Sequence, residues 1–182
     1  MRMAAPVYYT AEMVRAIPDD GKRYETVHCE LLVTPAPAVR HQVVVQRLLV
    51  TLDLYLRHHP VGQVLPSPAD ISWGPDVLVQ PDLFVADRGQ VRAGKWDRVK
   101  TLLLAVEVLS PNTQRYDRFT KRRLYQEVGV PVYWIVDLDA RAVEVWTPTA
   151  TLPTVERERV TWAAEGATEP LVIELAELFA PV

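Results

Sequence analysis

Hydrophobic positions recur at helical spacing in four stretches of the chain. The longest is His41–Arg57, where Val44, Val45, Leu48, Leu49, Leu52, Tyr55 and Leu56 keep the i, i+3, i+4 rhythm of a one-sided helix. Thr10–Ala16 predicts a short helix with Thr10 as N-cap. Tyr116–Val128 predicts another amphipathic helix, and Leu175–Phe179 a last short one.

Other apolar runs alternate or are continuous, as strands do. Arg23–Thr34 reads as a strand pair or a bent strand turning near His28-Cys29. Gln63–Trp73 and Val77–Ala86 read as one strand each, around a turn at Gly74-Pro75-Asp76. Thr101–Leu109 is almost wholly apolar, the signature of a central strand covered on both faces. Val132–Val136 is a second such strand, and Asp137–Arg141 turns into Ala142–Trp146. Proline-rich or polar loops fall at Pro35–Pro37, Pro60–Gly62, Asp87–Val99 and Thr147–Pro153. There is no internal repeat and no strong linker, so residues 1–182 read as one α/β domain with a mixed β-sheet flanked by helices. Its core runs from about 23 to 146, and an acidic C-terminal extension covers about 147–182.

Three charges interrupt this apolar pattern. At 100° per residue, Asp117, Lys121, Leu124, Tyr125 and Val128 share one arc of the Tyr116–Val128 helix. Lys121 therefore points toward the core, where an unpaired ammonium is costly. Asp82 and Glu107 are the matching anions, each placed singly in a strand-like run. Two acids with a lysine suggest a metal-dependent hydrolytic site. Asp82 and Glu107 would hold a hard divalent cation such as Mg²⁺ or Mn²⁺, with the Val108 carbonyl as a third ligand. Lys121 would orient or help deprotonate a water, or steady charge on a reacting phosphate. Blander readings stand beside these: Asp82 as a turn acid accepting a backbone N–H, Glu107 as half of a buried salt bridge, and Lys121 snorkelling from the stripe edge.

Composition narrows the class. Of the 182 residues, 49% are hydrophobic and 24% charged, as in ordinary globular proteins. The single cysteine, Cys29, excludes an intramolecular disulfide and a cysteine metal cluster, which suits a reducing cytoplasm. No signal-peptide core and no apolar run of membrane-spanning length stands out. The net charge of −3 is unevenly spread. Arg88–Arg123 holds ten basic residues against three acids, while Glu144–Val182 holds seven Glu against two Arg. The basic stretch predicts a phosphate-binding surface, and solvated loops are the alternative. No Gly-x-Ser-x-Gly elbow and no P-loop occurs.

The segments RYETVHCELLV, PAPAVRHQVVVQRL, VQPDLFV and VEVLSPNTQRYDRFTKRRLYQEVGVPVYWIVD resemble the Uma-two family of restriction-endonuclease-like proteins. The resemblance implies the PD-(D/E)XK fold and Mg²⁺- or Mn²⁺-dependent hydrolysis of DNA, with Asp82 as the PD acid and Glu107 as the second acid. The lysine usual two residues beyond that acid is replaced by Leu109, so the resemblance implies that Lys121 supplies the ammonium instead. It also implies an auxiliary acid at Glu25. Family members usually carry Gly before Glu30, where this chain has Cys29. His41 matches the family's -P-RH- segment and reads as a phosphate contact or a stabiliser of the site or, in the simpler reading, a core histidine at a helix N-terminus. A homodimer is expected, since one site per subunit cutting each strand is a common solution for this architecture. A catalytically silent nucleic-acid- or protein-binding module on the same fold is the alternative.

Overall fold

The computed structural model describes residues 8–181. The extreme N-terminus, part of the stretch read for a signal sequence, lies outside the described residues.

Helix α1 (Ala11–Arg15) begins at Thr10, whose Oγ1 accepts a hydrogen bond from the Met13 amide at 3.2 Å. Strands β1 (Arg23–Val27) and β2 (Glu30–Thr34) form an antiparallel hairpin in which Val27 faces Glu30. Its two-residue turn places His28 at φ 50° and Cys29 at φ 66°. Positive φ at both positions is the type I′ arrangement that matches strand twist, and it normally selects Asn or Gly. Helix α2 (Val39–His58) follows, burying His41, Val44, Val45, Leu48, Leu52, Tyr55 and Leu56 along one stripe.

Two of the expected single strands are each divided. Gln63–Trp73 becomes β3 (Gln63–Pro66) and β4 (Ile71–Gly74), and Val77–Ala86 becomes β5 (Val77–Val79) and β6 (Leu83–Ala86). The halves join different sheets. One sheet has the order β2-β1-β5-β4. The other has the order β10-β9-β8-β7-β6-β3, with β7 (Leu102–Val108), β8 (Tyr133–Asp137), β9 (Ala142–Trp146) and β10 (Thr154–Glu156). Asp82 therefore lies not within a strand but at the break where the chain passes from one sheet to the other. Proline 81 cannot donate to a ladder and suits that break.

Asp87–Val99, read as a loop, contains helix α3 (Arg88–Arg92) and a 3₁₀ turn (Trp96–Arg98). Strands β7 and β8 run parallel, joined by a crossover. In that crossover Tyr116–Lys121 is a π-helix, followed by the α-helix α4 (Arg122–Glu127). The Arg122 amide donates to the Asp117 carbonyl, five residues back, and the Tyr133 hydroxyl donates to the same carbonyl at 3.1 Å. A wider coil of this kind is uncommon and concentrates at functional sites.

Both faces of the six-stranded sheet are covered. On one face Leu83, Val85, Leu104, Val106 and Val108 pack against α2. The same cluster includes Val160 and Trp162 of β11 (Arg159–Trp162), Leu171 and Ile173 of β12 (Leu171–Glu174), and Leu175 and Leu178 of α5 (Leu175–Leu178). The acidic tail thus contributes apolar residues to the core beneath α2. Arg47 of α2 holds its end by donating to the carbonyls of Leu178 and Ala180. On the other face Phe84, Ala105, Leu109, Tyr133 and Ile135 meet Leu124 and Tyr125 of α4 and the smaller sheet. Among the described residues, no helix is long and apolar enough to cross a membrane.

Candidate active site

The junction between the sheets gathers seven buried or half-buried polar side chains. Alternation along β7 turns Val106 and Val108 toward α2, which leaves Glu107 on the opposite face, with Ala105 and Leu109. There Glu107 Oε1 accepts hydrogen bonds from Lys121 Nζ at 3.0 Å and from the Tyr125 hydroxyl at 3.3 Å. Lys121 also lies 3.0 Å from Glu25 Oε2, an ion-pair contact outside hydrogen-bond angles, and 3.6 Å from Asp117 Oδ1. Glu25 is fixed from the other side, since its Oε1 accepts the Gln80 amide at 2.6 Å. Lys121, Glu107, Glu25 and Asp117 are all buried.

Asp82 forms a second knot beside the first. Its Oδ1 is 3.0 Å from both Nη1 and Nη2 of Arg23. Its Oδ2 accepts the Val108 amide at 2.9 Å and meets His41 Nε2 at 3.0 Å. Asp82 thus ties the larger sheet, the smaller sheet and α2 together. Val108 enters this knot through its N–H. A cavity of about 130 Å³ is lined by Arg23, His41, Asp82, Glu107, Asp117 and Lys121.

Electrostatics separate the two knots. Burial acts to raise the Asp82 carboxyl, but the His41 hydrogen bond, the charges of Arg23 and His41 and the Val108 amide outweigh it and hold it down at about 2. Glu107 goes the other way: burial, reinforced by Asp117, Asp82 and Glu25, pushes it well above the ordinary range despite Lys121. Burial likewise lifts Asp117 to about 6. Burial alone would lower the Lys121 ammonium, but Glu107, Glu25 and Asp117 hold it above its ordinary value. Lys121 therefore stays protonated at neutral pH, which suits charge stabilisation rather than proton abstraction.

The residues present fit a hard cation by their chemistry. Four buried acids, Glu25, Asp82, Glu107 and Asp117, face the formal cations Lys121 and Arg23. Asp117 Oδ1 is buried without a hydrogen-bond partner, and both hydrogen bonds to Glu107 use Oε1 alone. Oxygen donors short of positive charge are what Mg²⁺ and Mn²⁺ select. Among the described residues no three His, Cys, Asp or Glu side chains converge on one point. A cation here would be held by few side chains and keep much of its water, as Mg²⁺ commonly does.

All four residues singled out from the sequence, Glu25, Asp82, Glu107 and Lys121, meet at this junction. Arg23 and Asp117 join them without having been assigned to it, and His41, read as a phosphate contact, a stabiliser of the site or a core histidine, joins them as a partner of Asp82. Asp117 carried a signal, since it shares the apolar arc with Lys121; nothing in sequence spacing pairs His41 or Arg23 with Asp82. Glu30 lies apart, exposed at the hairpin, beside Arg115, Tyr116 and Phe119. The basic stretch is divided. Arg118 is held by Asp137 and Glu144, each at 2.7 Å, and Lys121 is buried. Arg88, Arg92, Lys95 and Arg98 follow the C-terminal end of β6, where Ala86 pairs with Leu102. Asp82 and Glu107 sit at the opposite end of the same two strands.

A family model, Uma2, described as "Putative restriction endonuclease", matches residues 11–176. The crystal structure at 1.96 Å of a protein described as a "putative nuclease belonging to DUF820", from Anabaena variabilis ATCC 29413, has the same fold: TM-score 0.77 at 18% identity, covering 94% of this chain and 98% of that one. No curated protein matches the chain.

Proposed function

The chain belongs to the Uma2 family, and from that premise we propose that it is a metal-dependent endonuclease of the PD-(D/E)XK type, hydrolysing phosphodiester bonds in DNA. The observation that carries the reading is the convergence of a buried lysine on Glu107 and Glu25, with Lys121, Glu107 and Asp82 lining one cavity.

Asp82 and Glu107, with the Val108 carbonyl, would hold Mg²⁺ or Mn²⁺. The ion, when bound, supplies Lewis-acid stabilisation of phosphoryl oxygens and a more acidic water. Lys121 stands in for the strand lysine replaced by Leu109 and offers a fixed positive charge to the phosphate as negative charge builds on it. Glu25 keeps that ammonium in place through Oε2 while anchoring itself on the Gln80 amide. Asp117 buttresses Lys121 from the preceding turn of the π-helix. The assignment includes a single domain over the chain, a cytoplasmic setting and a homodimer that presents one site to each strand.

The test is cleavage of plasmid, linear and single-stranded DNA with Mg²⁺ or Mn²⁺, beside Asp82→Ala. Metal-dependent cutting by wild type and none by the variant is expected; equal products from both would remove the assignment. One observation favours a catalytically silent DNA- or protein-binding module: both oxygens of Asp82 are engaged by protein groups, Oδ1 by Arg23 and Oδ2 by His41 and the Val108 amide. DNA binding without cleavage in either metal would select that reading.

A further inference from the structure

Arg23 stands where two cavities meet. The smaller holds Asp82, Glu107, Asp117 and Lys121; the larger, about 740 Å³, runs past α1 and is lined by Arg15, Lys22, Tyr24 and Gln80. Arg23, His41 and Asp82 line both. The two oxygens of Asp82 are held differently. Oδ2 is engaged by groups fixed in the scaffold, the Val108 amide of β7 and His41 on the buried stripe of α2. Oδ1 is engaged by Arg23, through a long side chain that is 18% exposed. Arg23 also donates to the Gln80 carbonyl at 2.8 Å and to Ser67 Oγ at 3.3 Å. Those neutral acceptors can retain the guanidinium whether or not Asp82 is available to it.

We propose that Arg23 is a displaceable cation: it pairs with Asp82 Oδ1, yields that oxygen to a divalent ion, and offers its freed N–H fork to a substrate phosphate at the junction of the two cavities. The proposal rests on the reading of Asp82 as a metal ligand. Two cations against one carboxylate oxygen repel each other strongly where water is scarce. A guanidinium presents the same bidentate face to carboxylate and to phosphate, so one side chain serves both partners in turn. Metal and substrate binding are then positively coupled through Arg23.

The test uses Arg23→Gln and two readouts of opposite sign. Calorimetric titration of Mn²⁺ should show binding tighter than wild type by about tenfold, within the usual range of coupling between sites. Anisotropy of a short DNA duplex, measured in a Lys121→Met background so that the duplex stays intact, should show binding weakened about tenfold with Mn²⁺ and little changed without it. A purely structural Arg23 would weaken both. Mn²⁺ binding no tighter than wild type, or duplex binding equally affected with and without metal, overturns the proposal. Should Arg23→Gln fail to fold without metal, Arg23→Lys, which replaces the fork by a point charge, should show the same signs at smaller size; the reverse signs overturn it. Mn²⁺ binding by Asp82→Asn equal to wild type overturns the metal-ligand reading instead, and this proposal with it.

Discussion

Lys121 donates from Nζ to Glu107 Oε1 at 3.0 Å across a single strand-to-helix crossover. The pair is buried, so removing one partner strands the other. Lys121→Met keeps the aliphatic stem and the packing against its neighbours. Metal-free stability should fall by about 3–5 kcal/mol, the range for breaking a buried ion pair. Saturating Mn²⁺ should recover most of that loss, as read by urea denaturation. Cleavage should fall by about 100-fold or more, the scale of removing one preorganised donor that stabilises transition-state charge. Full cleavage by this variant, in a preparation free of contaminating nuclease, would refute a catalytic role for Lys121.

Asp117 makes stability depend on pH in an unusual direction. Its folded value of about 6 lies above its ordinary 3.8, so the folded protein binds a proton that the unfolded chain has released. Between about pH 4 and pH 6 stability should therefore fall as pH rises, by about 3 kcal/mol from this residue. Glu107, raised for the same reason, acts in the same direction. Metal-free denaturation curves across that window should show the slope, and Asp117→Asn should flatten it. A rise in stability over the window would contradict the burial argument.

Asp82→Ala removes the anion from Arg23 and the acceptor of His41 and the Val108 amide. Both cleavage and Mn²⁺ affinity should be lost. Metal-free stability should also fall, by about 3–5 kcal/mol, because a largely buried guanidinium is left unpaired. Asp82 is held down at about 2, so its own contribution is present above about pH 4 and fades as pH drops toward 2. Calorimetry and denaturation at neutral pH check the two effects separately.

Arg92, Lys95 and Arg98 lie beyond the β6 end opposite Asp82. A short duplex centred on the acids should not reach them. Replacing all three by Gln should leave the slope of log K against log salt essentially unchanged, although each lost phosphate contact would reduce it by roughly one. A flattened slope would place the duplex across that end of the sheet.

Cys29 occupies a left-handed backbone position at φ 66°. Such a conformation costs an L-residue about 1–2 kcal/mol that glycine does not incur. Cys29→Gly should raise stability by up to about 1 kcal/mol, since glycine also gains entropy in the unfolded chain. Equilibrium denaturation measures it, and nuclease activity should be unaffected because the turn lies outside the acid cavity.

The inward lysine was legible because four residues approximate one turn in an α- or a π-helix, so Asp117 and Lys121 share a face in either coil. The π geometry itself leaves no mark on apolar spacing. Asp117 is easily passed over, since an acid four residues before a lysine is an ordinary helix pair. Alternation in Val77–Ala86 reveals which side chains share a face but not which strands they pair with, so the change of sheet at Asp82 is hidden. Summed charge along Arg88–Arg123 is likewise blind to the hairpin-like return of β6 and β7, which sends its two halves to opposite ends. Leu109 shows the limit of motif reading. The position of the usual lysine is occupied by a buried residue packed with Tyr125 and Leu124, so a lysine there would have to displace core.

The break between β5 and β6 carries an evolutionary consequence. Glu25 satisfies the Gln80 amide, Asp82 clasps both sheets to α2, and Lys121 neutralises two strands at once. The residues proposed to cut DNA are thus also the rivets of the scaffold. A descendant that abandoned cleavage would still be bound by folding to keep them. Across relatives, invariance of these charges would record selection for a closed seam as faithfully as selection for chemistry.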